Sequence, residues 1–80
     1  MRIYTEKDTE VDSVEVLINY QELRVLADSL MKFETEIKEF KIKNKDKESL
    51  GFTHLHFKDC GSIGKNSKAD IVFYVDLNEE

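Results

Sequence analysis

Residues 19–40 read NYQELRVLADSLMKFETEIKEF, and this stretch decides the fold. Leu23, Leu26, Leu30, Phe33, Ile37 and Phe40 recur at alternating intervals of three and four, with Ala27 and Met31 widening the row. Residues so spaced share one face of an α-helix, here about five turns long. Asn19 and Glu22 have capping-box spacing: the Asn19 side chain can accept the N–H of Glu22, and the Glu22 carboxylate can reach back to the N–H of Asn19. Glu34 and Lys38 sit one turn apart on the solvent side. The lysines between 41 and 47 suit the negative end of the helix dipole, so the helix is expected to stop there. No proline interrupts it. A coiled coil uses the same row, but six seam positions between strand-like runs are too few for one.

Outward from the helix, the period changes to two. Val14, Val16 and Ile18 alternate with Glu15 and Leu17, as in a half-buried strand. Residues 1–5 read as a short edge strand through Ile3 and Tyr4, and the acid-rich residues 6–12 as a turn. Beyond the helix, Thr53, Leu55 and Phe57 alternate with Phe52, His54 and His56. Then Ile71, Phe73, Val75 and Leu77 alternate with Val72, Tyr74 and Asp76. Between these two runs, residues 59–67 read as a loop whose Gly61 and Gly64 permit positive φ. The expected fold is α+β in a single domain, residues 1–80. It comprises a three- to four-stranded, mainly antiparallel sheet in the order (β)-β-α-β-β, with one long helix packed on one face. A parallel neighbour across the helix would require a right-handed crossover.

The 80 residues leave no room for a second core, and a chain this short is marginal alone. Twelve Lys and Arg against seventeen Asp and Glu give a net charge of −5, which argues against a general nucleic-acid binder. The single cysteine, Cys60, rules out an internal disulfide. No apolar run approaches the ~18 residues of a membrane span, and residues 1–6 carry no apolar signal-peptide core. A cytoplasmic protein with no nucleic-acid or membrane partner is expected.

One helix covers one sheet face. The other would carry Glu15, Leu17, Phe52, His54, His56, Val72 and Tyr74, which is more apolar than a solvated face usually is. Such a patch marks either a partner-binding or a self-association surface. Burying Leu17, Phe52, Val72 and Tyr74 across a two-fold axis would add several kcal/mol at about 25 cal/mol per Å². A homodimer is therefore expected in solution.

The chemical motifs are weaker. His54 and His56 project from one side of a strand and could share a metal with Glu15, Asp59, Cys60 or Asp76. No second Cys/His cluster accompanies them, however, and a zinc site needs at least three protein ligands. Without metal they pack beside Phe52 and Tyr74 and make association pH-sensitive. Cys60 follows the acidic Asp59, which disfavours a thiolate nucleophile. Residues 61–65 superficially resemble a phosphate loop, but Asp59 stands where its first glycine belongs and Asn66 where its Ser or Thr belongs. Lys38, Lys41, Lys43, Lys45 and Lys47 are interleaved with acids and lack stacking aromatics, which suits a solvated helix end better than an RNA site. Glu6, Asp8, Glu10, Asp12, Asp76, Glu79 and Glu80 could form an acidic rim that steers a basic partner. No Ser/His/Asp or paired-carboxylate arrangement is visible, so no catalysis and no cofactor are expected.

Three segments together resemble a known family. They are Tyr20-Gln21-Glu22-Leu23-Arg24-Val25-Leu26-Ala27-Asp28-Ser29-Leu30 on the helix, His54-Leu55-His56-Phe57-Lys58-Asp59 on a strand, and the closing run Ala69-Asp70-Ile71-Val72-Phe73. The pattern of Glu-Leu-x-x-Leu-Ala, His-x-His-aromatic and a final apolar strand resembles small bacterial immunity proteins of polymorphic-toxin and contact-dependent inhibition loci. The likeness spans residues 14–77, and the lysine-rich connection at 41–49 departs from it. It implies a protein that binds and blocks a cognate toxin, and it assigns no catalytic residue.

Overall fold

The structure, a computed structural model, describes residues 1–78. Its centre is helix α1, Tyr20–Lys43. The capping box forms as the sequence requires: Glu22 N donates to Asn19 Oδ1 at 2.8 Å, and Asn19 N donates to Glu22 Oε1 at 3.1 Å. At the other end Asn44 closes the helix twice, its N–H at 3.0 Å and its side-chain amide at 2.8 Å from the Phe40 carbonyl. The Glu34–Lys38 pair is present at 3.8 Å, but both side chains are well exposed, so it contributes little.

Two antiparallel strands follow, β3 (Phe52–His56) and β4 (Val72–Asp76). They pair with Phe52 opposite Asp76, His54 opposite Tyr74 and His56 opposite Val72. The first two strands of the chain, β1 (Ile3–Tyr4) and β2 (Glu10–Val11), form a separate small hairpin. Asp8 turns that hairpin at φ 61, a left-handed conformation that a short polar side chain tolerates.

The α+β class is as expected, but the sheet differs. Among the described residues there are two two-stranded sheets, not one of three or four strands. Residues 14–18 account for the difference. They join no strand, and Val14, Val16 and Leu17 are exposed, Leu17 at 99%. Ile3 and Tyr4 do form a strand, but pair with Glu10 and Val11 from the stretch read as a turn. Alternation gives residues 14–18 a strand-compatible pattern, yet a strand also needs an adjacent edge, and the chain does not bring one to them.

The expected loop at 59–67 is also more ordered than its sequence implies. A single 3₁₀ turn, Phe57–Asp59, leads into a short helix α2, Gly61–Lys65. Gly61 takes φ 67, as anticipated for a glycine. Gly64 has a different role. A Cβ there would collide with the Phe57 carbonyl oxygen and crowd Cys60, so the glycine permits α2 to pack against the preceding turn.

Among the described residues the buried apolar side chains are Phe33, Phe57, Cys60 and Leu77. Phe33 is the hinge of the packing: one cleft places it beside Leu55 and Ile63, a second beside Ile37, Thr53 and Leu77. Gly64→Ala should lower stability by about 1–3 kcal/mol, the usual effect of forcing a group into a filled space, while Ser62→Ala, at an exposed position of the same helix, should change it by less than about 0.5 kcal/mol. Urea unfolding of the two variants distinguishes close packing at Gly64 from general sensitivity of α2.

Candidate functional site

The outer face of the β3–β4 pair brings together five of the seven residues singled out from sequence: Phe52, His54, His56, Val72 and Tyr74. The alternation of Phe52, His54 and His56 against Thr53 and Leu55 puts them there, and the register aligns them with Val72 and Tyr74. Phe52 and Tyr74 are about 70% exposed. The His54 ring lies 5.5 Å from Tyr74 across the strands and 5.1 Å from His56, edge-on at 86°. These contacts order His54 and Tyr74 while leaving both exposed. Glu15 and Leu17 do not join it, because their segment is not part of the sheet.

The residue that sequence reading missed is Asp70. One of its oxygens lies 2.8 Å from His56 Nδ1, and the other accepts the Lys58 N–H at 2.9 Å. Asp70 thus ties the end of β3 to the residues entering β4 and closes the base of the 57–70 excursion. Cys60 Sγ also reaches back to the His56 carbonyl, at 3.4 Å. Partial burial works against the Asp70 carboxylate. The hydrogen bonds from His56 and Lys58, with the charge of His56, outweigh it and hold the carboxyl below its ordinary value of 3.8.

Asp70 occupies one nitrogen of His56, and none of Glu15, Asp59, Cys60 and Asp76 completes a three-ligand cluster with the two histidines. Among the described residues no group of three or more His, Cys, Asp or Glu side chains is disposed to hold a metal ion. Of the acidic residues, Glu6, Asp8, Glu10 and Asp12 lie in or next to the N-terminal hairpin and Asp76 in β4, while Glu79 and Glu80 lie outside the described residues. Among the described residues no helix is long and apolar enough to cross a membrane. Comparison with protein-family models, curated proteins and solved structures gives no match.

A carboxylate whose folded-state pKa is depressed adds stability above its unfolded value. That stability is lost as pH falls through the folded value. Asp70→Asn should therefore lower the urea midpoint at neutral pH and narrow the gap between neutral pH and about pH 3 relative to wild type. Equal acid sensitivity in the two proteins would show that the Asp70 contacts do not stabilise the fold.

Proposed function

We propose that this chain is a non-catalytic protein-binding module whose contact surface is the outer face of β3 and β4. The observation that carries the reading is that Phe52, His54 and Tyr74 are exposed on one side of a paired strand layer, with His54 and Tyr74 in ring contact across the strands. Aromatic groups with a polar atom at the tip suit a surface that is wet when free and dry when bound. His56 and Asp70 at its margin add a charged, hydrogen-bonding edge. The resemblance to immunity proteins supports a cognate bacterial toxin as the partner, blocked by steric and electrostatic masking, and the acidic groups would steer a basic toxin.

A second reading, a structural or regulatory homodimer, is favoured by a separate observation. The accessible surface is 7161 Å² for 9.4 kDa. A compact monomer of that mass exposes about 5,000 Å². The excess is larger than one partner's share of a standard interface, about 800 Å².

Titration against the toxin encoded beside its gene tests the first reading. We expect a one-to-one complex whose Kd weakens by about tenfold or more on Phe52→Ala or Tyr74→Ala. The reading fails if there is no toxin gene at that position, or if binding is indifferent to both substitutions.

A further inference from the structure

We infer that residues 14–18 are an exchange arm: in a homodimer, each copy's arm adds as a third strand to the free edge of the other copy's β3. This inference rests on the self-association reading and specifies its interface.

Three observations converge on it. The first is the backbone. Phe57 N–H donates to the Ile71 carbonyl and Leu77 N–H to the Gly51 carbonyl, both at 2.9 Å, which fixes the hydrogen-bonded pairs of the ladder. Those pairs recur at every second residue, so Phe52, His54 and His56 turn their N–H and C=O groups away from β4, toward an edge that pairs with no strand among the described residues; of these groups the His56 carbonyl is taken by Cys60 Sγ, which leaves Phe52 and His54 as the main receiving residues. An open edge of this kind accepts an extended segment by strand addition.

The second is the space beside that edge. A cleft of about 520 Å³ opens between α1, which contributes Val25 and Phe33, and residues 59–63, which contribute Cys60 and Ile63, and it reaches β3 at Leu55. A strand added to β3 would lay its inward side chains over this cleft. In residues 14–18 those are Val14, Val16 and Ile18, all apolar, while Glu15 and Leu17 face outward beside Phe52, His54 and His56. The arm contains no proline, so each of its residues can donate to the ladder.

The third is reach. Ile18 is two residues before Tyr20, the first residue of α1, and the intervening Asn19 is fixed as the helix cap. Two residues span at most about 7 Å, whereas packed layers lie about 10 Å apart and strand-to-helix connections take about 2–6 residues. The chain therefore cannot bring Ile18 into its own sheet with the capping box intact; it would have to give up the last residues of the arm as a connection, and with them the Ile18 contact. A second copy meets no such restriction, and reciprocal exchange closes under two-fold symmetry. The exposed surface above that of a compact monomer is sufficient for such an interface.

The test is sedimentation equilibrium of the full chain and single-residue variants, with helix content followed by circular dichroism. Wild type should dimerise at micromolar concentration. Val16→Asp, and Val14→Asp as a second inward probe, should weaken dimerisation by about 100-fold or more while retaining the helix signal. Leu17→Asp should change it by less than about threefold. A wild type that stays monomeric overturns both the inference and the homodimer reading. A dimer weakened equally by Leu17→Asp, or indifferent to Val14→Asp and Val16→Asp, overturns the exchange and leaves the homodimer reading standing. Protection of the arm amides from hydrogen exchange in a monomer would overturn it as well, by showing that the arm closes on its own chain.

Discussion

The structure is governed by a mismatch between one long helix and the small layer it must cover. A helix of 24 residues extends about 36 Å, whereas five-residue strands extend about 17 Å. Phe33, near the middle of the apolar row, is buried, while Leu23 and Phe40 toward its ends remain exposed. Two strands cannot shield a stripe of this length and width. The rest of the molecule either extends the cover or leaves apolar surface exposed.

The excursion between β3 and β4 is the main extension. Phe57 and Cys60 are buried in it, and Ile63 of α2 lines the same cleft as Val25 and Phe33 of α1. The excursion thus shields part of the N-terminal half of the helix that the strands are too short to reach. It holds its shape through Gly64, which permits close approach to the Phe57 carbonyl, and through Asp70, which joins His56 to Lys58 at its base. The histidine patch depends on the same clamp. His56 is oriented by Asp70, and His54 and Tyr74 pack in turn across the outer face. Core packing and the candidate binding surface are therefore coupled through one carboxylate.

The parts legible in sequence are those whose determinants lie close together in the chain. Asn19 and Glu22 fix the start of α1 across three residues, and Asn44 ends it among the lysines expected there. The alternation of residues 52–56 and 72–76 gives both the strands and the outward placement of Phe52, His54 and Tyr74. The parts not legible depend on distance or on shortness. His56 and Asp70 are fourteen residues apart with no periodic relation. The pair Glu10–Val11 and the five residues of α2 are too short to show a period. Residues 14–18 are the informative case. Their alternation fits a strand of the chain's own sheet, but pattern specifies which side chains share a face and says nothing about whose edge the strand will find. The exchange inferred above would set Glu15 and Leu17 beside Phe52, His54 and His56 and would assemble a three-stranded sheet from two chains.

The central claim is that a single chain buries too little of its apolar stripe, so that folding and association are linked. The most direct measurement is the thermal unfolding midpoint as a function of protein concentration. Linkage requires the midpoint to rise steadily as concentration increases, because association removes free folded chain from the unfolding equilibrium. A midpoint that stays constant across a hundredfold range, about two decades of mass action, would show that the lone chain is sufficient and would contradict the account.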